Sequence, residues 1–328
     1  MIVALVACAV IGALLPVQTQ INTRLSRAVS STFLASFVSF LVGSLALAVA
    51  VAVGRTRLPD AALLASQPWW LWTGGLCGVV YLTLNMVLMR ALGASVTVVL
   101  PILGQVLGGV LIDSFGLLGV ERQPMSVARA VGLLLVLLGA VLVTWARRPA
   151  VTGTAPAAAA RTAPAPVTAP ARPARRTGGR RLLAGLGVVS GVLSATQTTV
   201  NGRLGTVLGS ATSAALVSFV VGLVALGVVV AVARPAVTGA TVRATVHPWY
   251  LVVGGVLGAS FVLGSAAAAP VLGISLTVSV VLLGQLAAGL SVDRWGVLGA
   301  PRRAVGPRRL VGVALVLLGV VCVRLLGS

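Results

Sequence analysis

Amide side chains recur at a fixed spacing in this chain of 328 residues. Gln18 and Asn22 are four residues apart, and Gln197 and Asn201 repeat that spacing. Residues four apart share one face of a helix, so each pair would present two hydrogen-bonding amides on the same side. The sequence leaves two uses open for these pairs: contact with a polar solute, or contact with a neighbouring helix.

Three further amides lie inside long apolar runs. Gln105 and Gln285 each stand in the motif G-Q-x3-G-x3-D, and Asn85 occupies a position where the second half of the chain has Ser265. An amide in the middle of an apolar helix must find a partner, so we expect these residues to face a solute route or another helix. The predicted solute-path residues are Gln18, Asn22, Asn85, Gln105, Gln197, Asn201 and Gln285.

Asp113 and Asp293 close the two copies of the G-Q-x3-G-x3-D motif, at the ends of apolar runs. A carboxylate there can relay protons and couple transport to a proton gradient, or it can pair with a nearby arginine such as Arg294. The position at the end of a span favours the structural use.

The residues needed for catalysis or metal binding are missing from the sequence. His247 is the one histidine, and Cys8, Cys77 and Cys322 are scattered singly through apolar segments. They form no Ser/His/Asp or Cys/His set and no metal-ligand spacing, and the phosphate-binding motif G-x4-G-K-[ST] does not occur. We therefore expect a protein that is not an enzyme, with no catalytic residue, no metal and no cofactor.

The composition predicts an all-α membrane protein. The chain is 58% hydrophobic with a mean hydropathy of +1.10, and only 9% of its residues are charged. A water-soluble fold of this size could not bury so much apolar surface, so the bilayer must be the solvent. The net charge of +20 comes from arginines that do not alternate with aromatic residues, which argues against a nucleic-acid partner.

Ten spans are predicted, at about 2–17, 32–53, 69–89, 95–112, 130–145, 182–195, 211–233, 249–269, 274–292 and 310–323.

An internal repeat relates the two halves of the chain. Gln18 and Asn22 recur as Gln197 and Asn201 at an offset of 179, and after one inserted residue Asp113 recurs as Asp293 at an offset of 180. Each copy holds five predicted spans, and an odd number makes the second copy enter the membrane from the opposite side. The sequence thus predicts ten transmembrane helices arranged as two inverted five-helix repeats.

Three segments follow from this repeat: a first five-helix repeat at 1–146, a linker at 147–181 rich in Ala, Pro and Arg, and a second repeat at 182–328. The linker cannot bury enough apolar surface to order itself.

With the N-terminus outside, 18 of the 24 basic residues fall on the cytoplasmic side. The positive-inside rule therefore predicts a cytoplasmic linker and both termini outside.

The segment P-V-Q-T-Q-I-N-T-R-L followed by S-F-L-V-G, its copy Q-T-T-V-N-G-R-L followed by S-F-V-V-G, and G-Q-x3-G-x3-D together resemble the YdcZ-like family. This family of five- or ten-span proteins belongs to the drug/metabolite transporter (DMT) superfamily. The resemblance covers nearly the whole chain outside the linker. It implies a ten-helix inverted-repeat bundle with a central cavity, working as a secondary carrier by alternating access. Superfamily members of this length often place both termini in the cytoplasm, which conflicts with the arginine count.

The small multidrug-resistance relatives in that superfamily rely on a membrane-embedded Glu in their first span. This chain has no acid in its first or sixth predicted span. Antiport of cationic drugs against protons by that route is therefore not expected.

The sequence favours a secondary transporter that moves a small polar metabolite or drug-like solute across a bacterial inner membrane. Its expected partners are the lipid bilayer and an unidentified small-molecule substrate, and a homodimer is compatible with the sequence. The alternative is a non-transporting membrane scaffold or assembly protein, in which the glycine-rich helix faces would be docking surfaces. A lipid flippase would require a basic pocket within the spans, which the sequence does not show.

Overall fold

The computed structural model describes residues 2–54, 56, 61–145, 177–236, 252–272, 274–299, 302 and 305–325. Within these ranges the chain is helical and contains no strand. The ten long helices, here named α1 to α10, are Ile2–Ala28, Thr32–Val53, Gly74–Leu92, Ala94–Phe115, Val127–Trp145, Thr177–Leu208, Ala211–Ala233, Val253–Leu272, Ile274–Trp295 and Pro307–Leu325. A short helix at Ala61–Ala65 and 3-10 turns at Trp69–Trp72, Leu117–Gly119 and Val297–Gly299 connect them.

The helices have the length and apolarity of membrane spans. Six stretches of the described residues are long and apolar enough to cross a bilayer, and shorter apolar helices occur at Val127–Val143 and Val253–Ser265. The six stretches are Ile2–Ala28, Thr32–Val53, Trp69–Leu92, Val96–Phe115, Arg181–Leu208 and Ala211–Ala233. Helices suit lipid because they satisfy their own backbone groups. The prediction of an all-α membrane protein is confirmed, and ten helices are compatible with the predicted ten spans.

Two helices are much longer than the apolar runs that predicted them. α1 continues from the apolar run at 2–17 to Ala28, and α6 begins at Thr177 and runs to Leu208, beyond the predicted 182–195 on both sides. The polar residues that ended the predicted spans do not end the helices, because their side chains bond within the helix: Thr19 Oγ1 donates to the carbonyl of Leu15 at 2.8 Å. The predicted linker overlaps α6 at 177–181, and residues 147–176 lie outside the described ranges.

Serines at equivalent positions begin the second helix of each half. Ser31 Oγ accepts a hydrogen bond from the backbone N–H of Leu34 at 3.2 Å, and Ser210 Oγ accepts one from Ser213 at 3.1 Å. Each serine satisfies an N–H that has no partner inside its helix. The same local signal therefore sets the tight turns between α1 and α2 and between α6 and α7.

The two halves pack against each other over most of their helices. α5 packs against α10, α1 against α8 and α9, α3 and α4 against α6, and α2 against α7. In the pair of α5 and α10, Gly132 lies against Gly319 and Gly139 lies against Gly312, so these two helices run antiparallel. The ring centroids of Phe40 and Phe219, which occupy equivalent positions in the repeat, are 5.0 Å apart between α2 and α7.

α4 lies in the middle of the largest apolar cluster. Ile102 and Val106 on α4 are completely buried and share this cluster with Val136 of α5, Leu286 of α9 and Val316 of α10. A helix enclosed by neighbours from both halves is fixed in place on several sides. Polar side chains on its buried faces are therefore held away from lipid.

The seam between α5 and α10 gives the first prediction. A Cβ at Gly132 would lie 2.6 Å from the carbonyl oxygen of Gly319 and 2.8 Å from the backbone nitrogen of Val323. Backbone atoms cannot swing aside, so Gly132→Ala should destabilise the protein by about 1–3 kcal/mol through overpacking. Gly185→Ala on α6 is the matched control, because nothing lies within 4 Å of its added Cβ.

Thermal unfolding of the purified protein in detergent checks this prediction. Gly132→Ala should lower the melting temperature, whereas Gly185→Ala should leave it unchanged or raise it, since alanine favours helix more than glycine does. Equal melting temperatures for the two variants would mean that the seam is not as close as described.

Candidate functional site

A narrow polar cavity lies between α1, α3, α4 and α9, so both halves of the chain contribute to it. The space inside it holds roughly one water molecule. Its lining residues are Leu15, Pro16, Thr19, Tyr81, Asn85, Met89, Thr97, Val98 and Gln285. A larger solute therefore fits only if the surrounding helices move apart.

Two amides that line the cavity carry buried atoms without a hydrogen-bond partner among the described residues. Asn85 on α3 and Gln285 on α9 are each 3% exposed. The Asn85 Oδ1 acceptor and the Gln285 Nε2 donor are unpaired. Leaving such a group unpaired costs about 1–3 kcal/mol, so native proteins rarely bury one without a use for it. A guest molecule or an ordered water could satisfy both atoms.

Hydroxyl groups add to the polar wall of the cavity. Thr97 Oγ1 donates to the carbonyl of Gly93 at 2.7 Å, and Thr19 Oγ1 donates within α1 in the same way. Because their hydrogens are engaged, both hydroxyl oxygens offer only lone pairs to a guest. Tyr81 and Asn85 lie one helical turn apart on α3 and both line the cavity.

Prolines interrupt the helix hydrogen bonds beside this cavity. Pro16 lies within α1 and lines the cavity, and Pro101 lies within α4. Proline has no N–H, so Pro101 leaves the carbonyl of Thr97 without its usual donor from the next turn. Both prolines are absent from the second half, where Ala195 and Val281 take their positions. The one-sided prolines and Asn85 thus belong to the same half of the chain, and Pro16 and Asn85 both line the cavity.

The paired amides of α1 lie on a different surface. Gln18 and Asn22 are buried against Gly258 and Gly254 of α8, where an added Cβ would meet their side-chain amides. Asn22 Nδ2 also donates to Ser39 Oγ on α2 at 3.1 Å. These amides fill the space that the glycines of the opposite half leave open. Neither is among the residues that line the cavity.

The amides of α6 repeat this arrangement with the roles of the halves exchanged: the second half contributes the amides and the first half the glycines. A Cβ at Gly78 of α3 would lie 2.6 Å from Gln197 Nε2, and one at Gly74 would meet Asn201 Oδ1. The glycines, like the amides, are four residues apart. All four amides therefore pack between the halves, and their predicted contact with a solute stays a prediction.

Gln105 on α4 occupies the position equivalent to Gln285, and Ser265 on α8 the position equivalent to Asn85. Gln105 Nε2 and Ser265 Oγ are also buried without a hydrogen-bond partner in the described part of the chain. The repeat therefore places a second pair of unpaired polar atoms at related positions. The described cavity, however, is lined by Gln285 and Asn85.

The two aspartates are held by arginines of the following helix. Asp293 Oδ2 lies 3.5 Å from Arg309 Nη1, and Asp113 Oδ2 lies 3.9 Å from Arg129 Nη2. The suggested partner of Asp293, Arg294, was therefore wrong: Arg294 is exposed, while Arg309 is buried beside the carboxylate. Adjacent residues on a helix point to different sides, so the neighbour in sequence was the wrong choice.

Sequence reasoning missed Tyr81, Thr19 and Thr97 as cavity residues and Arg129 and Arg309 as ion-pair partners. The arginines could have been found, because they recur at the offset of 180 that relates the two aspartates. The cavity threonines carry no such signal, since threonine is common in apolar helices and only packing shows which one borders a space.

The fold and this site define the class of protein: a multi-pass helical membrane protein with a buried, uncharged polar cavity between its halves. A family described as "Putative inner membrane exporter, YdcZ", of the DMT type, matches residues 3–142 and 182–322. The chain belongs to this family, and the resemblance seen in its motifs is confirmed. An exporter family points to a protein that is not an enzyme.

A search of curated proteins found no match. Among solved structures, the chain is similar to a crystal structure whose title names no function, with 18% sequence identity and a TM-score of 0.54. The superposition covers 98% of this chain and 97% of the other. At this identity the likeness concerns the fold alone.

The contact between Asn22 and Ser39 gives a prediction about the amide–glycine surface. Ser39→Ala would leave the buried Asn22 Nδ2 without its acceptor, at a cost of about 1–3 kcal/mol, and should lower the melting temperature. Ser44→Ala is the matched control, because Ser44 Oγ is also buried on α2 but has no described partner. Its removal should be neutral or stabilising. Equal melting temperatures for the two variants would mean that the hydrogen bond from Asn22 to Ser39 does not contribute to stability.

Proposed function

We propose that this protein is a secondary transporter that carries a small, polar, uncharged solute across the inner membrane through the cavity between α1, α3, α4 and α9. The observation that carries the proposal is the pair of buried, unpaired amide atoms, Asn85 Oδ1 and Gln285 Nε2, on two residues that line one cavity. The family assignment supports the export of a solute.

The two amides would recognise the solute by replacing its hydration shell. A solute entering from water loses hydrogen bonds, and its binding is favourable only if the site returns them. Asn85 supplies an acceptor and Gln285 a donor, so a solute with neighbouring hydroxyl or amide groups would satisfy both. The apolar walls formed by Leu15, Met89 and Val98 would pack against its carbon skeleton.

The cavity chemistry favours a solute without net charge. None of the residues that line it carries a charge. A carboxylate or ammonium group buried there would lose its hydration without gaining a counter-ion, which is far more costly than burying a neutral polar group. The coupling ion and the direction of transport are not specified by the cavity.

The transport cycle would rest on two inverted halves that rock around this cavity. The antiparallel packing of α5 against α10, which are equivalent helices, supports an inverted arrangement. So do the two aspartates: Asp293 contacts Ala94 at the beginning of α4, whereas Asp113 lies near the end of that helix. With a rise of 1.5 Å per residue, these ends are about 28 Å apart, which is close to the hydrocarbon thickness.

The rival scaffold function receives less support. It would use the glycine faces as docking surfaces for other proteins, but Gly74, Gly78, Gly254 and Gly258 pack against amides of this same chain.

The arginine distribution still favours a cytoplasmic linker at 147–181, and this orientation belongs to the proposal.

Flux from proteoliposomes tests the function. The vesicles would be loaded with a defined mixture of neutral sugars, polyols, amides and nucleosides together with carboxylates and amines, and the external medium analysed by mass spectrometry. We expect at least one neutral solute to leave faster than from protein-free liposomes. Asn85→Leu and Gln285→Leu should each slow its release about tenfold or more, as the loss of one buried hydrogen bond implies.

Gln67→Leu is the control for removal of an amide, because the bonds that Gln67 makes to described residues stay within its own exposed segment. It should transport at the wild-type rate. Wild-type flux no faster than the protein-free leak, or undiminished flux through both cavity variants, would contradict the proposal.

A further inference from the structure

The buried carboxylate of Asp293 joins the two halves at one end of the cavity. Its Oδ1 accepts a hydrogen bond from the backbone N–H of Ala94, the first residue of α4, at 3.1 Å. Its Oδ2 lies 3.5 Å from Arg309 Nη1 on α10. Asp293 is only 2% exposed. One side chain thus bridges the end of α9 to the beginning of α4 in the opposite half.

This bridge lies behind one wall of the cavity. Met89, which lines the cavity, packs in one apolar cluster with Ala94 and with Val292, the residue before Asp293. The cluster lies where α3 turns into α4 through Gly93, whose φ of 87° is a conformation that glycine adopts readily. Separating Asp293 from Ala94 would therefore move the turn that carries one wall of the cavity.

The bond between the Asp293 carboxylate and the Ala94 N–H is a single charge-assisted hydrogen bond. It can therefore stabilise one state of the protein and still break in another. A carboxylate at a helix N-terminus accepts a charge-assisted hydrogen bond and also interacts favourably with the positive end of the helix dipole. Arg309 stays on the same half as Asp293, so the ion pair can persist while the bond across the halves opens. The charge of Asp293 would then remain paired in both states.

We infer that the bond between Asp293 Oδ1 and the Ala94 N–H is a latch that keeps the cavity closed at this end, and that its opening admits water and solute. The inference rests on the proposed function for its meaning in transport. The closed and open states themselves can be measured without any substrate.

The sharpest test removes the donor and leaves the ion pair intact. Ala94→Pro eliminates the N–H that Asp293 accepts, and proline is well tolerated at the first position of a helix. Ala211→Pro is the matched control: Ala211 is likewise the first residue of a long helix, and its extended predecessor Ser210 is compatible with a following proline. No aspartate bond to Ala211 is described.

The readout is the reaction rate of one cysteine in the cavity with a water-soluble thiol reagent. Thr19→Cys on α1 is the reporter. The native cysteines Cys8, Cys77 and Cys322 are replaced by alanine in this protein. The protein is reconstituted in nanodiscs so that the reagent can reach both of its membrane faces. Ala94→Pro should raise the labelling rate about ten- to a hundredfold, as loss of a charge-assisted hydrogen bond implies. Ala211→Pro should leave the rate unchanged.

A second reporter excludes general unfolding. Val136→Cys lies at a completely buried position in the seam between α5 and α10 and should stay unlabelled in every variant. Should Ala94→Pro not yield folded protein, Asp293→Asn, which weakens the acceptor, must produce the same increase at Thr19→Cys. An unchanged rate in the folded latch variant, or labelling of Val136→Cys to the same extent, overturns the latch.

Failure of the latch and failure of the proposed function are distinguishable. An unchanged labelling rate together with normal flux from proteoliposomes would remove the latch and leave the transporter. An increased labelling rate in a protein that transports no solute would retain the gated cavity and remove the transport function.

Discussion

Close contact between helix backbones at glycine is the interaction on which this fold depends. Within the hydrocarbon layer, burial of apolar side chains gives little preference for helix over lipid, so helices associate through tight packing and polar contacts. The chain uses glycine wherever its halves cross. Gly132 and Gly139 of α5 lie against Gly319 and Gly312 of α10, and the glycines of α3 and α8 receive the amides of α6 and α1.

These glycine contacts also explain why so many polar side chains are tolerated in an apolar bundle. An amide beside a glycine is enclosed by backbone and is shielded from lipid. Asn22 shows the arrangement: its amide nitrogen reaches Ser39, while its Oδ1, which has no hydrogen-bond partner among the described residues, fills the gap above Gly254. The glycine and the amide must therefore occur together, which accounts for their matched spacing of four residues in both halves.

Much of the fold could be predicted from the sequence, because hydropathy and repeated motifs carry the information that bilayers demand. The all-helical membrane fold and the family followed from apolar runs and from motifs such as Q-x3-N-x-R-L. The helix ends were less predictable: Thr177–Leu208 is much longer than its apolar run, because polar residues inside a bundle can continue a helix once their groups are satisfied. Hydropathy alone does not show whether a polar side chain finds a hydrogen-bond partner inside the bundle.

The site was only partly predictable. Two of the predicted amides line the cavity, but sequence spacing does not tell which amide faces a space and which faces a glycine. Asn85 and Gln285 line the cavity, while Gln18 and Gln197, with the stronger motif, pack between helices. The distinguishing property is the partner on the opposite helix, which is distant in sequence. The same holds for Asp293, whose buried partners are Arg309 and the backbone of Ala94.

Two inverted halves around one uncharged cavity are the core of this account, and side-specific labelling tests it most directly. Arg27 and Thr206 are exposed, occupy equivalent positions near the ends of α1 and α6, and are each suited to replacement by cysteine in a background without the native cysteines. An impermeant thiol reagent added to intact cells should label one of the two variants, and the other only after the membrane is opened. Labelling of both variants from the same face would contradict the inversion and, with it, the proposed alternating-access function.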